Sequence, residues 1–531
     1  MWDRLIGEVQ EKLPKFNNYL IYEFRKQKLD EIELYLDSVL RQSMEFFGHQ
    51  MRYVGYRTLT PEERIEYIVS NPILKGGIPI RPSDVKVLRY EFEFNGMPHY
   101  MYMHVPYLMH DRVLYNGTEY YPQFPVVERG GINRTDSGSI IVKVMRVPIP
   151  FGRRESDKCK VRAVSGKHYW DIVVTAKIYM GTKGGKKTER IPLMLYHLCK
   201  YGFPMTMSKY KFVPGEIEIV GKVPVDYDVP KVAHCSVTPN GVVDCGKEYF
   251  QLKNGLFLGV NRSSLKDMYK RRVVLSLIRI FTENPTFKIS DVISADPSYY
   301  KVTLGKYIGA GDTRTNILLY NNAEKHLRMT DPLLDSVAKT QLANVGITVG
   351  DIYDMLLWMF YNIDDLLVTY DPTNLYDKKL GSLDQIMSWV VRDIAHRQYR
   401  IINGKQEELT QKVVAKFVRS ASQQATWIGK TSVFRPAPTL YNDNYLLSIG
   451  LKRFLSLESV ETSSIRSGRK ATKVPVSLIK AHPSQLAITS ILDIPSSSPV
   501  ATGSMNPFVQ IDRDGNIQIP DYAGEIEHIF K

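Results

Sequence analysis

The dipeptide Asn116-Gly117, set between Val113-Leu114-Tyr115 and Tyr120-Tyr121, constrains this chain more than any other local feature. A two-residue type I′ connection requires positive φ at both central positions, which Asn and Gly adopt readily. The flanking residues are then expected to pair as antiparallel strands. The strand signature extends on both sides. Val87–Phe94 and Tyr100–Val105 alternate or run apolar with β-branched and aromatic residues, and Ser139–Val147, Tyr169–Met180 and Lys187–Pro192 continue the pattern. Gly184-Gly185 reads as a turn, because a phosphate cradle needs a helix directly behind it and Leu193–Lys200 begins too late, after a proline. Residues 205–260 form another β-rich patch, punctuated by Pro214-Gly215 and Asn240-Gly241.

Helical periodicity marks the other stretches. Residues 1–70 read as helices, from the spacing of Ile21, Phe24, Leu29, Ile32, Leu34, Tyr35 and Leu40 among many charges. Further helices are expected at Ser264–Phe281, Pro332–Ala343, Val349–Asp365 and around Tyr445–Leu457, whereas Gly309-Ala310-Gly311 lacks the flanks of a dinucleotide site and reads as a loop. The clearest helix follows Asp371-Pro372. Ser382 caps it, Gln385 completes a capping box, and Leu383, Ile386, Met387, Val390, Val391 and Ile394 give a 3.6-residue apolar stripe ending before Gly404. Arg392, His396, Arg397 and Arg400 fall mostly off that stripe. Asp371 to Ser382 is turn chemistry, so Lys378-Lys379 is expected in a polar turn at the mouth of the helix. Such a pair is either solvated or presented to a phosphate backbone. Strands and helices in separate runs indicate an α+β chain, and 531 residues indicate several domains.

Charge and cysteine usage narrow the function classes. The net charge is +14, and Lys405 to Lys480 alone carries thirteen Lys/Arg against five Asp/Glu, which favours a polyanionic partner such as nucleic acid. Within that span Thr462–Lys473 reads as a mobile cationic loop. Cys159, Cys199, Cys235 and Cys245 have neither the density nor the pairing of a disulfide framework, and His234-Cys235 with Cys245 lacks the second pair of a zinc site. No apolar run of 18 residues exists, and Met1–Lys15 is charged throughout, so neither a membrane span nor a signal peptide is expected. Val474–Lys531 is strand-like with a Ser/Pro-rich turn at Pro495–Pro499. Asp512-Arg513-Asp514-Gly515-Asn516 begins like a calcium loop, but its Gly is two positions early and Ala523 stands where the bidentate Glu belongs. A hairpin turn between Val509–Ile511 and Ile517–Ile519 fits better. No nucleophile elbow, phosphate loop, zincin helix or closely spaced Asp cluster is present, so no catalytic residue and no metal ligand is assigned.

Four stretches, in order, resemble the N-terminal half of the β subunit of multisubunit DNA-directed RNA polymerases. Tyr102-Met103-His104-Val105-Pro106-Tyr107-Leu108-Met109 with Asn116-Gly117-Thr118-Glu119 is similar to a Y-M-G-x-I-P-L-M run followed by N-G-T-E-R, with Tyr120 in place of the arginine. Gly166–Val173, with Trp170-Asp171, and then Glu189-Arg190-Ile191-Pro192-Leu193 is similar to the R-G-S-W and R-R-K-L-P segments. Asp371, Leu375, Lys378, Lys379, Leu380 and Ser382 fit a D-x-D-H-x-x-N-K-R-I frame. Ala481-His482-Pro483-Ser484-Gln485 through Ile494-Pro495, then Phe508–Ile511 and Asp514–Ile517, resemble the V-H-P-T-H run and the strand and turn behind it. The family's β chain continues for another half where this sequence ends at Lys531, so the likeness is to the split β subunits of giant φKZ-like phages.

The resemblance implies a multi-domain α+β fold: protrusion at 1–150 and 371–460, lobe at 151–370, fork at 461–531. It implies a non-catalytic subunit forming one side of the DNA cleft, with magnesium held by the partner β′ subunit. Lys378 and Lys379 would lie near the RNA–DNA hybrid, His482, Pro483 and Gln485 in the fork near nascent RNA, and Lys452, Arg453, Arg466, Arg469, Lys470 and Lys473 along the RNA path. Implied partners are template DNA, nascent RNA, the β C-terminal half, the β′ N- and C-terminal pieces and a promoter-specificity subunit. The implied setting is the cytoplasm of an infected bacterium, with packaging in the virion left open. Ser456–Lys473 shortens the family's rifampicin pocket, which implies resistance. A different class stays open from composition alone: a stand-alone single-strand-binding or virion protein, for which basic charge and 33 tyrosines suffice.

Overall fold

The structure is a computed structural model whose described residues run from Leu34 to Gly524. Outside the description lie 1–33, 71–84, 179–189, 225–235, 284–296, 370–373, 382–408 apart from Ile394 and Arg397, 420–433, 437–453, 458–481, 490–501, 520–531 apart from Gly524, and shorter gaps. The chain is α+β and divides into two compact units. One comprises Met1–Gly131, Asp335–Ile347 and Asp371–Lys531; the other comprises Ile132–Leu334 and Thr348–Tyr370. No described helix is long and apolar enough to cross a membrane.

In the first unit the described strands Met51–Thr58, Val85–Phe94, Met97–Met109, Arg112–Tyr115, Thr118–Pro122 and Phe434–Pro436 form an antiparallel sheet in that order. Tyr115 pairs with Thr118, so the Asn116-Gly117 connection spans two residues as its sequence requires. Phe94 pairs with Met97 in the same manner. The intervening Asn95 and Gly96 have φ of 51° and 73°, a second Asn-Gly hairpin the sequence reading passed over. Tyr90, Phe92 and Phe94 are buried, and Phe417 of the helix Gln411–Arg419 meets the Phe92 ring edge-on at 6.1 Å. The expectation of helices throughout residues 1–70 is corrected at Met51–Thr58. Met51 and Tyr53 are buried while Arg52 and Val54 are exposed, a period of two selected by pairing with Phe94 and Phe92. Pro61–Ser70 is helical, and Thr60 with Glu63 makes a reciprocal capping box, at 3.3 Å and 3.0 Å.

A mixed sheet in the same unit gathers strands from distant parts of the chain, in the order Lys378–Leu380, Pro125–Glu128, Phe454–Leu457, Thr502–Ser504. The helix expected around Tyr445–Leu457 is corrected at its end, because Ser456 and Leu457 run parallel to Pro125 and Val126 and the segment pairs with Thr502–Ser504 on its other side. Sheet partners override the helical spacing there. Residues 445–453 lie outside the described residues, as does the capped helix after Ser382 except at Ile394 and Arg397, both helical and buried.

The second unit holds an antiparallel sheet ordered Ile191–Pro192, Thr175–Ala176, Pro148–Gly152, Ser139–Lys143, Ile132–Thr135, and a smaller one ordered Ile217–Val220, Phe257–Asn261, Lys247–Gln251. The long Tyr169–Met180 strand is in fact two, His168–Ile172 and Thr175–Ala176. Leu193–Lys209 is helical on both sides of a break at Gly202 (φ 72°, ψ 179°), and its first part, Leu193 to Cys199, is buried throughout, so it forms the core rather than lying on it. It is joined by Met268–Glu283, Ser298–Gly305, Asn316–Thr330 and Ile352–Thr369. Gly309 and Ala310, read as loop, instead end a single π-type turn, Lys306–Ala310, that prolongs the Ser298–Gly305 helix. Arg272, nearly inaccessible, bridges Asp171 of one strand and Asp364 of the last helix at 3.2 and 2.6 Å.

Candidate nucleic-acid interface

The stretch that begins at Asp371 opens with the expected local bonding. Asn374 Oδ1 accepts from the Tyr376 N–H at 3.0 Å, and its Nδ2 donates to Asp377 at 2.9 Å. The turn ends one residue before the lysines. Lys378–Leu380 is a strand antiparallel to Pro125–Glu128, with Lys378 opposite Glu128, Lys379 opposite Val127 and Leu380 opposite Val126. Lys378 and Lys379 are 4% and 7% exposed, and the Lys378 ammonium forms an ion pair with Glu128. The expectation that the pair stands in a polar turn is thus corrected. Extended pairing draws both side chains under cover, and a buried ammonium requires a carboxylate partner.

Three segments far apart in sequence close around this strand. Leu380 N–H donates to Gly515 O at 2.7 Å, and Lys379 forms a bridge with Asn516. Gly515 lies in the turn between Ile511 and Ile517, which pair as the sequence predicts. Its φ is 85°, and Asp512 Oδ1 accepts from the N–H groups of Asp514 and Asn516 at 3.0 and 2.7 Å. Arg129, behind the Pro125–Glu128 strand, donates from its guanidinium to the carbonyls of Lys378 (3.2 Å) and Ile517, and from its own N–H to Asp377 O. At Gly130 φ is 68° and a Cβ would stand 2.5 Å from Val345, so any side chain there is strained.

His482 completes the junction. It is the N-cap of the helix Pro483–Ile488, and its Nδ1 accepts from the Ser484 N–H at 3.1 Å. Ser484 is fully buried. Its hydroxyl lies 2.8 Å from His482 Nδ1 and accepts from the Leu375 N–H at 2.8 Å, and the Tyr376 ring meets His482 edge-on at 6.2 Å. A backbone N–H can only donate, so Nδ1 is placed as the acceptor of this cap. Gln485 is half-buried one turn into this helix, its carbonyl accepting from the Thr489 N–H at 2.8 Å.

Of the residues assigned from sequence, the structure brings Lys378, Lys379, His482 and Gln485 into one neighbourhood. Lys452, Arg453, Arg466, Arg469, Lys470 and Lys473 lie outside the described residues, Lys452-Arg453 directly before the Phe454–Leu457 strand. Glu128, Arg129 and Ser484 carry much of the geometry and were missed. Only the Gly130-Gly131 pair hinted at a special backbone there. Among the described residues no group of three His, Cys, Asp or Glu side chains is placed to hold a metal ion. What the junction offers is hydrogen bonding on a fixed backbone, with half-buried His482 and Gln485 and exposed Arg513 at its edge.

A family model described as a non-virion RNA polymerase subunit matches residues 2–521. No curated protein matches the chain.

Proposed function

As the chain belongs to the family of non-virion RNA polymerase subunits, we propose that it is the β N-terminal part of a split, DNA-dependent enzyme. In this reading it is non-catalytic by itself, forms one side of the DNA cleft and touches the RNA–DNA hybrid. The observation that carries the reading is the convergence just described. The stretch from Asp371, the stretch from Ala481 and the Asp514–Ile517 turn, each resembling a different β-subunit segment, are joined by Leu375 N–H to Ser484 Oγ and by Leu380 N–H to Gly515 O. Family-like segments scattered for unrelated reasons would have no cause to meet one another through such hydrogen bonds.

Magnesium belongs in this reading to the β′ partner, whose residues supply the chemistry of nucleotide addition. This chain holds the template and transcript in place. Basic side chains along Lys452–Lys473 grip phosphates without reading sequence, each neutralised phosphate adding about 0.9 to the negative slope of log K against log salt. Such a grip suits an enzyme that must translocate. Lys378 serves the strand that backs the contact surface, and in the free chain its charge is spent on Glu128. The word non-virion in the family description supports work in the cytoplasm of the infected host rather than in the particle.

The test is reconstitution. The chain is co-purified with a β C-terminal half and β′ pieces, and magnesium-dependent RNA synthesis on a DNA template is measured with and without it. Synthesis that depends on this chain and resists rifampicin is the expected result. Undiminished synthesis when the chain is omitted overturns the assignment.

A further inference from the structure

The imidazole of His482 has one polar atom left over. Nδ1 is committed to the Ser484 N–H and hydroxyl, and no described residue accepts a hydrogen bond from Nε2. The ring is half-buried, pinned edge-on against Tyr376 and tied through Ser484 Oγ to the Leu375 N–H. The Ser484 N–H points at Nδ1, so the cap uses that nitrogen as an acceptor and leaves Nε2 as the outward one. The ring's outward nitrogen is then fixed in direction by the cap and the Tyr376 contact.

We propose that His482 meets the polynucleotide as a neutral donor, through Nε2–H to a phosphate or ribose oxygen, and that Ser484 is the positioning residue that holds the ring. The inference rests on the function proposed above. It differs from a contact by a cation: a neutral donor adds to the lifetime of the complex but releases no counterion, so it leaves the salt dependence alone. The donor is the ring nitrogen, and the six-residue helix behind it takes no part beyond fixing the cap.

His482→Asn separates the two roles, since Asn keeps a side-chain oxygen to cap the Ser484 N–H and lacks the distal donor. In the assembled polymerase on a template–RNA scaffold, His482→Asn is expected to shorten the half-life of the complex by roughly two- to tenfold, the range for one neutral hydrogen bond. The slope of log half-life against log salt should stay as in the wild type. Ser484→Ala should give a smaller loss, and Ser484→Thr should restore it. Nitrogen NMR of the full chain labelled in histidine should show the Nε2–H tautomer for His482 at neutral pH. An unchanged half-life would make His482 a cap and nothing more. A fall in salt slope would make it a cation, and an imidazolium or Nδ1–H signal would remove the tautomer; any of these overturns the proposal. Failure of the wild-type assembly to hold the scaffold would sink the proposed function and the contact with it, while the nitrogen signal still decides the tautomer.

Discussion

Both units bury ion pairs, but their other buried polar groups are held by different means. In the second, Leu193 to Cys199 are buried without a break, and beside the Arg272 bridge to Asp171 and Asp364 the interior holds His197 and His326, satisfied by tyrosine hydroxyls and a carbonyl. His197 Nε2 donates to Tyr353 O at 3.0 Å, its Nδ1 accepts from Tyr210 at 3.2 Å, and His326 Nε2 lies 3.1 Å from the Tyr196 hydroxyl. In the first unit the junction depends on a buried ion pair and on bonds between side chains and main-chain atoms more than a hundred positions apart. Apolar burial is non-directional and tolerates small errors of placement, whereas a carbonyl fixed by a guanidinium does not.

Acid is the strongest way to break the contrast. Burial lowers the pKa of both His197 and His326 from 6.5 to about 4. A depressed folded-state pKa gives stability that is complete above pH 6.5 and lost as pH falls toward 4, because the unfolded chain takes up the protons first. The second unit should therefore lose up to about 1.4 kcal/mol per pH unit for each histidine across that window. Denaturant melts between pH 7 and pH 4, with fluorescence resolving two transitions, check it; a flat second-unit transition would refute buried neutral histidines. Leu195→Ala, at a position with no exposed surface, should cost the same transition about 4 kcal/mol and leave the other in place. Lys378→Met strikes the first unit instead. It takes the ammonium from a buried carboxylate and should cost about 3 kcal/mol, much of which Glu128→Gln in the same chain should restore. Equal losses in the single and double variants would show that the pair contributes nothing. Gly130→Ala is the mildest, about 2 kcal/mol, from a left-handed φ and a Cβ pressed on Val345. Circular dichroism melts at neutral pH suffice to measure it, and an unshifted midpoint would mean that Val345 yields freely.

Local chemistry was the most legible part of the fold. Asn116-Gly117 specifies its hairpin, and Asp512 to Asn516 specifies a turn rather than a calcium site, because both depend on φ preferences and short-range side-chain bonding. The apolar stripe of Ile352–Thr369 and the β patterning of Val85–Phe94 were readable for the same reason. The misreadings fall where a distant partner decides. Met51–Thr58 and Phe454–Leu457 have spacings compatible with a helix and become strands because sheet edges await them. Lys378 and Lys379 look solvated until Glu128 and the Asn516 turn are placed beside them.

By itself, the sequence determined the α+β class, the hairpins and a likeness to RNA polymerase subunits, which at that level the match over 2–521 bears out. These follow from patterns that repeat or bond within a few residues. Tertiary structure alone decided that Lys378 is an internal counter-ion, that Arg129 fastens the strand it never adjoins in sequence, and that Ser484 is tied to the Leu375 N–H. Each of those depends on a group brought in across a long loop, and loop closure leaves no periodic trace in the residues it joins.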